Sequence, residues 1–150
     1  MSRMSTAQRL PAILFDIDGT LVQSNYAHVA AWTGAFERLG HPVNSWRIHR
    51  AIGMDSSMLM DELIGGSVDE LDDDAKALHA ELCEVSAGTL RPFEHARELV
   101  AVVAVHGQRA VLATPAPQRE LSLLRGVLEI EDDVAADLLA HYDDSPPAPR

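Results

Sequence analysis

Two aspartates stand two residues apart directly after a short apolar run. The run covers residues 12–15, and Asp16, Asp18, Gly19 and Thr20 follow it. Because residues two apart on an extended chain point to the same side, the carboxylates of Asp16 and Asp18 are predicted to lie together. A bound cation would offset the repulsion between the two carboxylates, and Mg²⁺ prefers oxygen ligands of this kind. We therefore predict that Asp16 and Asp18 bind Mg²⁺, and that amides around Gly19 and Thr20 hold phosphate oxygens.

The chemistry that suits this arrangement is phosphoryl transfer. We predict that Asp16 attacks phosphorus to form an aspartyl-phosphate, while Mg²⁺ reduces the charge repulsion. Asp18 would protonate the leaving alcohol and then deprotonate the water that hydrolyses the intermediate. A hydroxyl at the end of a neighbouring strand would anchor the phosphoryl group. Thr114 occupies such a position, directly after the apolar run 110–113.

The elements that must position these residues follow from the hydrophobic pattern. Residues 12–15 and 109–113 lack polar alternation, which is typical of strands buried in a parallel sheet. Residues 25–88 show helical periodicity and no strand pattern, and further helices are predicted over 94–106 and 117–129. Right-handed crossovers join such elements. The predicted fold is α/β, a Rossmann-like parallel sheet core that is incomplete, with an inserted all-helical cap.

Within the insert, polar residues predict where helices begin. Ser45 is expected to cap a short helix, and Asp55 to cap the next one. Ser67 and Glu70 are spaced as a capping box for a longer third helix. The complete predicted division is a core of residues 10–24 and 89–150, a cap of residues 25–88, and disordered ends at 1–9 and 144–150.

The position of the insert predicts a lid over the substrate. It follows the first strand at the carboxyl edge, where parallel sheets bind their ligands. His28, Arg47 and Arg50 lie on the insert and are predicted to reach the substrate, although a surface or packing role fits them equally well. His28, His49 and His79 do not have the sequence spacing of metal ligands.

Composition limits the class of protein and of partner. The formal net charge of −11 argues against nucleic acid and anionic membranes, but allows a small anionic substrate at a local site. Cys83 is the one cysteine, so no internal disulfide can form, and it is predicted to be a half-buried helix residue. No apolar run approaches the roughly 20 residues of a membrane span. We predict a cytosolic protein; the oligomeric state is left open.

The motifs then resemble those of a known family. Residues 16–21, Asp-Ile-Asp-Gly-Thr-Leu, resemble the first motif of the haloacid dehalogenase superfamily, and residues 111–114 resemble its second. The insert is similar to the cap of the phosphoglycolate phosphatase and beta-phosphoglucomutase branch, particularly over residues 25–28 and 46–54. The resemblance extends over roughly residues 12–140. It implies a Mg²⁺-dependent phosphomonoester hydrolase that acts on a small phosphorylated metabolite.

Two departures from the family pattern lie near the end of the chain. The family's third motif is a lysine, often in a Ser-Lys-Pro context, whereas Ser145 is followed by Pro146. The fourth motif is an acidic pair after a later strand, which Asp132 and Asp133 resemble only in composition. These departures imply a truncated or frame-changed end. They leave open a catalytically impaired fragment or pseudo-phosphatase, and a phosphomutase is a further alternative to the hydrolase.

Overall fold

A computed structural model of the chain describes residues 11–65, 69–114, 116 and 118–130. The elements, in chain order, are β1 (Ala12–Phe15), α1 (Asn25–Arg38), α2 (Ser45–Ala51), α3 (Ser56–Ile64), α4 (Asp69–Ser86), a 3-10 turn (Ala87–Thr89), α5 (Ala96–Val105), β2 (Arg109–Leu112) and α6 (Gln118–Leu128). Among these described helices, none has the length and hydropathy needed to cross a membrane. The predicted α/β fold with an all-helical insert between its two strands is confirmed over this range.

The two strands pair in parallel, as predicted, but the prediction that both are buried is wrong for β1, which is exposed from Ala12 to Leu14 because β2 is its one partner strand among the described residues. The register joins Ala12 to Arg109 and Phe15 to Leu112. The amide of Ala113 donates to the carbonyl of Phe15 over 2.8 Å, so the pairing continues to the point where both strands end. Asp16 and Ala113 are therefore the first residues beyond a shared edge of the sheet.

The helices of the insert begin close to their predicted positions. Asp55 caps α3, since its Oδ1 accepts a hydrogen bond from the amide of Ser57 over 2.8 Å. The prediction for Ser45 is wrong, because Ser45 is the first residue of α2 and Asn44 holds the cap position without a side-chain hydrogen bond. The predicted capping box of Ser67 and Glu70 lies outside the described positions and side chains, as do residues 144–150.

Apolar side chains form two separate buried clusters. One packs the sheet against α5 and α6, and its members are Ile17, Leu21, Val22, Ala96, Val100, Val103, Ala110, Leu112, Leu121, Leu124 and Leu128. The other lies within α1 to α4, and its members are Val29, Trp32, Phe36, Ile48, Ala51, Leu59, Met60, Leu63 and Ala75. Each cluster gives its own group of elements a hydrophobic core. That the two groups behave as separate domains stays a prediction.

Candidate active site

A compact turn follows β1 and sets the geometry of the two aspartates. The carbonyl of Ile17 accepts hydrogen bonds from the amides of Thr20, Leu21 and Val22, at 2.9–3.2 Å. Gly19 has φ of 71°, and a Cβ at this position would lie 2.5 Å from Oδ1 of Asn25. β1 ends at Phe15, and this turn begins two residues later, at Ile17.

Asp16 is exposed and held by one neighbour in the turn. The Thr20 hydroxyl donates to Oδ2 of Asp16 over 2.6 Å. Within the described residues, no partner is recorded for the other oxygen, Oδ1. The bond to Thr20 thus fixes the carboxylate while leaving one oxygen accessible to a ligand.

Asp18 has a different environment from Asp16. Its side chain is 25% exposed, and Oδ1 accepts a hydrogen bond from the Ser24 hydroxyl over 2.6 Å. Nε2 of His28, in the first turn of α1, lies 3.2 Å from the same oxygen. Two carboxylates in unlike surroundings are suited to unlike roles in proton transfer.

The surroundings of Asp18 and His28 shift the pKa values of both side chains. Burial alone would raise the pKa of Asp18, but hydrogen bonds from His28 and Ser24 outweigh it and the pKa is lowered. Burial disfavours the imidazolium of His28, yet its hydrogen bonds to Asp18 and Cys83, with the Asp18 charge, raise its pKa to about 10. Asp18 and His28 therefore form a carboxylate–imidazolium pair at neutral pH.

Three further groups surround His28 on its remaining sides. Nδ1 of His28 lies 3.2 Å from Nε2 of His79, whose pKa falls to about 3 because of burial and the neighbouring His28 charge. Sγ of Cys83 lies 3.5 Å from the same Nδ1. On the other side, Oε1 of Glu120 is 3.4 Å from Nε2, and burial raises the pKa of this carboxyl. A neutral His79 can accept the Nδ1 proton of His28.

Four residues of this group had no predicted role at the site: Ser24, His79, Cys83 and Glu120. The four-residue spacing of His79 and Cys83 places them on one face of α4. This spacing could have suggested that His79 and Cys83 act together. It indicates a contact with His28 only once α4 is known to pack against α1. Glu120 comes from α6, on the far side of β2 in the sequence, and no local pattern links it to His28.

Thr114 lies one residue beyond the end of the paired strands. It is 7% exposed, and its Oγ1 accepts a hydrogen bond from the amide of Ala116 over 3.0 Å. This is a turn-stabilising contact. Since it uses the oxygen as an acceptor, the hydroxyl proton is left to donate elsewhere. Thr114 thus stands at the same sheet edge as Asp16, and a phosphate-anchoring role stays a prediction.

Comparison with known proteins now identifies the family. The family model described as haloacid dehalogenase-like hydrolase matches residues 10–150. The chain belongs to this family. A search among curated proteins finds no match.

Solved structures of the haloacid dehalogenase family share the fold. A hydrolase from Pseudomonas syringae has a TM-score of 0.77 and 27% identity, covering 85% of this chain and 59% of the other. A protein from Lactobacillus plantarum assigned as a phosphoglycolate phosphatase has a TM-score of 0.67 and 21% identity, covering 77% and 55%. One from Thermotoga maritima assigned as a beta-phosphoglucomutase has a TM-score of 0.52 and 27% identity, covering 80% and 56%. This chain therefore spans about three fifths of these relatives' length.

The three residues of the insert that were predicted to reach the substrate, His28, Arg47 and Arg50, have different surroundings in this haloacid dehalogenase-like chain. His28 contacts Asp18, as described above. The Arg47 guanidinium donates to the carbonyls of Glu62 and Leu63 at 3.1 and 3.3 Å, and both carbonyls lie in the last turn of α3. Arg50 is exposed on α2. A packing role is thus established for Arg47, while substrate contact by His28, Arg47 and Arg50 stays a prediction.

The oxygen donors after β1 fit Mg²⁺ in chemical type. Asp16 offers Oδ2, which accepts one hydrogen bond, from Thr20, and keeps a further lone pair; Oδ2 of Asp18 has no partner among the described residues. Mg²⁺ usually takes one or two carboxylates and completes its shell with water and substrate phosphate. Among the described residues, neither cluster of three or more His, Cys or acidic side chains includes Asp16. That Asp16 and Asp18 together hold Mg²⁺ stays a prediction.

The turn also limits which amides can meet a phosphate. The amides of Gly19 and Thr20 already donate, to the carbonyls of Val22 and Ile17. No described residue accepts from the amides of Ile17 and Asp18, which follow Asp16 directly. Free amides make a better anion site than amides already bonded, so the amides of Ile17 and Asp18 suit a phosphate better than those predicted at Gly19 and Thr20.

Proposed function

We propose that the chain is the nucleophile-bearing part of a Mg²⁺-dependent phosphomonoester hydrolase that acts on a small phosphorylated metabolite. The observation that carries this proposal is the contrast between Asp16 and Asp18. Asp16 is exposed, with one oxygen bound by Thr20 and the other free. Asp18 is half-buried and held by Ser24 and His28. The first arrangement suits a nucleophile, and the second suits a group that handles protons.

The reaction divides between the two carboxylates. The free oxygen of Asp16 attacks phosphorus and forms an aspartyl-phosphate as the ester oxygen leaves. The proton for that oxygen passes through Asp18, whose hydrogen-bonded neighbour His28 carries one at Nε2. Asp18 then accepts a proton from the water that attacks the intermediate. Bound Mg²⁺ would lower the repulsion between Asp16 and the phosphoryl oxygens. Thr114 and the free amides of Ile17 and Asp18 are proposed to bind those oxygens.

The test uses a variant that should separate the two half-reactions. An aryl phosphate has a good leaving group, so its transfer to Asp16 needs little help from an acid. In Asp18→Asn the intermediate should therefore form but hydrolyse about 10²–10⁴-fold more slowly. Hydroxylamine converts an aspartyl-phosphate to a hydroxamate. Mass spectrometry of the denatured, hydroxylamine-treated protein should therefore find this label at Asp16. Asp16→Asn should form none, and Asp73→Asn, an exposed change on α4, should behave as the parent chain.

Two alternatives have different outcomes in the same experiment. A phosphomutase would return the phosphoryl group to a sugar phosphate and release little phosphate; the 27% identity to the Thermotoga maritima protein motivates this candidate. A catalytically impaired fragment would bind phosphate without forming the intermediate. The sequence positions that raise this second alternative, 132–133 and 145–149, lie outside the described residues. A label on a residue other than Asp16 would reject the proposed mechanism.

A further inference from the structure

We propose that His28, His79 and Cys83 form a binding site for a thiophilic divalent cation, Zn²⁺ in particular, between helices α1 and α4. The three donor atoms are Nδ1 of His28, Nε2 of His79 and Sγ of Cys83. They lie 3.2, 3.3 and 3.5 Å apart in pairs. This is a different site from the proposed Mg²⁺ site, because it contains no donor from Asp16 or from the turn after β1.

The distances match the geometry of a tetrahedral zinc site. With Zn–N of about 2.0–2.1 Å and Zn–S of about 2.3 Å, tetrahedral angles place neighbouring donors about 3.3–3.6 Å apart. The observed separations are within about 0.2 Å of these values. Two imidazoles and one thiolate are a donor set that selects Zn²⁺ over Mg²⁺, since Mg²⁺ prefers hard oxygen ligands.

The surroundings of His28 provide the support that metal-bound imidazoles usually have. While Nδ1 faces His79 and Cys83, Nε2 lies 3.2 Å from the Asp18 carboxylate. A carboxylate that accepts the second ring proton fixes the orientation and tautomer of a ligating histidine. Trp32 stacks on His79 with ring centroids 4.3 Å apart, which limits rotation of that ring.

A small cleft adjoins two of the three donor side chains. Its volume is about 20 Å³, room for about one water molecule, and its lining includes His28, Cys83 and Glu120 together with Leu90, Leu123 and Leu124. Zinc sites with three protein ligands keep the fourth position for water or a small ligand. Binding would replace the Nδ1 proton of His28 and the thiol proton of Cys83, so it should release protons.

A second arrangement shares His28 and must be distinguished. Asp18, Nε2 of His28 and Glu120 also lie close enough to hold an ion. We favour the first set because the short contact from His28 to Asp18 already acts as an ion pair. Without any metal, the contact from His28 to His79 would be a hydrogen bond.

The experiment titrates the reduced full-length chain, first stripped with a chelator, with Co²⁺ and then with competing Zn²⁺. We expect one equivalent of Co²⁺ and a thiolate-to-cobalt absorption band that Zn²⁺ abolishes and Mg²⁺ does not. Cys83→Ser should lose the band. His79→Gln should weaken Co²⁺ binding by about 100-fold or more, because changes to residues that only support metal ligands already lower metal affinity by up to about 100-fold. His49→Gln removes an exposed histidine of α2 and should bind as the parent chain.

Each contrary result has a defined meaning. A band that persists in Cys83→Ser, or equal affinity in all variants, would overturn the proposal. Binding that is lost in Glu120→Gln but retained in Cys83→Ser would assign the ion to Asp18, His28 and Glu120. If His79→Gln fails to fold, alkylation of the parent chain decides: Zn²⁺ should protect Cys83 from iodoacetamide and Mg²⁺ should not. Unprotected Cys83 at saturating Zn²⁺ would reject the site.

Discussion

Nε2 of His28 lies 3.2 Å from Oδ1 of Asp18, and this contact joins helix α1 to the turn that follows β1. The imidazolium lowers the pKa of Asp18 and holds the carboxylate in place. His28 is therefore a positioning residue for the proposed acid and base. Replacing it should affect proton transfer more than substrate binding.

We expect His28→Gln to lower kcat by about tenfold or more, but by less than the 10²–10⁴-fold that loss of the general acid–base group itself would cost, with a smaller change in KM. Because Asp18 would lose its cationic neighbour, the acidic limb of the rate profile should move to higher pH. Steady-state kinetics with an aryl phosphate across a pH series checks both effects. His49→Gln is the matched control, and an acidic limb that stays in place in His28→Gln would show that Asp18 does not depend on this contact.

The two adjacent histidines should give the metal-free protein opposite dependences of stability on pH. His28 has a pKa raised from 6.5 to about 10, so its contribution is complete below pH 6.5 and is lost as pH rises toward 10. His79 has a pKa lowered from 6.5 to about 3, so its contribution is complete above pH 6.5 and is lost as pH falls toward 3. Each would change the unfolding free energy by at most about 1.4 kcal/mol per pH unit.

Urea unfolding in the presence of a chelator measures these slopes. His28→Gln should flatten the alkaline side of the stability profile, and His79→Gln should flatten the acidic side. His106→Gln, an exposed histidine after α5, should leave both sides as they are. An unchanged alkaline side in His28→Gln would contradict the ion pair with Asp18.

Local sequence patterns predicted the elements well because local forces decide them. The apolar run at β1 has the predicted bounds, Ala12–Phe15, and Asp55 caps α3 through the expected contact. Helix ends were less well placed. The helix predicted over 94–106 is α5, Ala96–Val105, and it follows His95 at a φ of 64°. A left-handed residue of this kind depends on tertiary packing, which composition does not encode.

The sequence allowed only one part of the candidate site to be predicted, the short segment that follows β1. The sequence places Asp16 and Asp18 after β1, but their unlike surroundings depend on how the turn folds and on α1. Contacts of His28 with His79 and with Glu120 span 51 and 92 residues. They are fixed by the packing of α1 on α4 and by the position of α6, and helical periodicity specifies neither.

Arg47 allows its packing role and its predicted substrate role to be separated. Its guanidinium donates to two carbonyls at the end of α3. Since a hydrogen bond contributes about 0.5–1.5 kcal/mol net, Arg47→Ala should lower the unfolding free energy by about 1–2 kcal/mol. Arg50→Ala, an exposed change on α2, is the control and should cost under about 0.5 kcal/mol. If KM for a small phosphate ester rises in Arg47→Ala while stability is unchanged, substrate contact would be its main role.

Gly19 is expected to be intolerant of any side chain. Its φ of 71° costs a residue with a Cβ about 1–2 kcal/mol, and the added atom would lie 2.5 Å from Oδ1 of Asn25. Gly19→Ala should therefore destabilise the chain by more than that amount. The double variant Gly19→Ala with Asn25→Gly removes the clash and should recover part of the loss, as chemical denaturation would show. Gly126→Ala, in an open position on α6, should instead be neutral or stabilising.

The exposed face of β1 should make the chain associate with itself. β1 is apolar in sequence, yet Leu14 is 66% and Ile13 37% exposed, and among the described residues β1 has one paired edge, against β2. An unpaired apolar strand edge favours pairing with another chain. Leu14→Thr introduces a β-branched residue, which strands favour, and removes much of the apolar surface, so it should reduce self-association with little change in stability. Light scattering coupled to size-exclusion chromatography over a concentration series measures the effect.

Val105→Thr, which changes an 83% exposed apolar residue at the end of α5, should leave association unaltered. Equal reduction by both variants would show that general surface hydrophobicity, and not the strand, drives association.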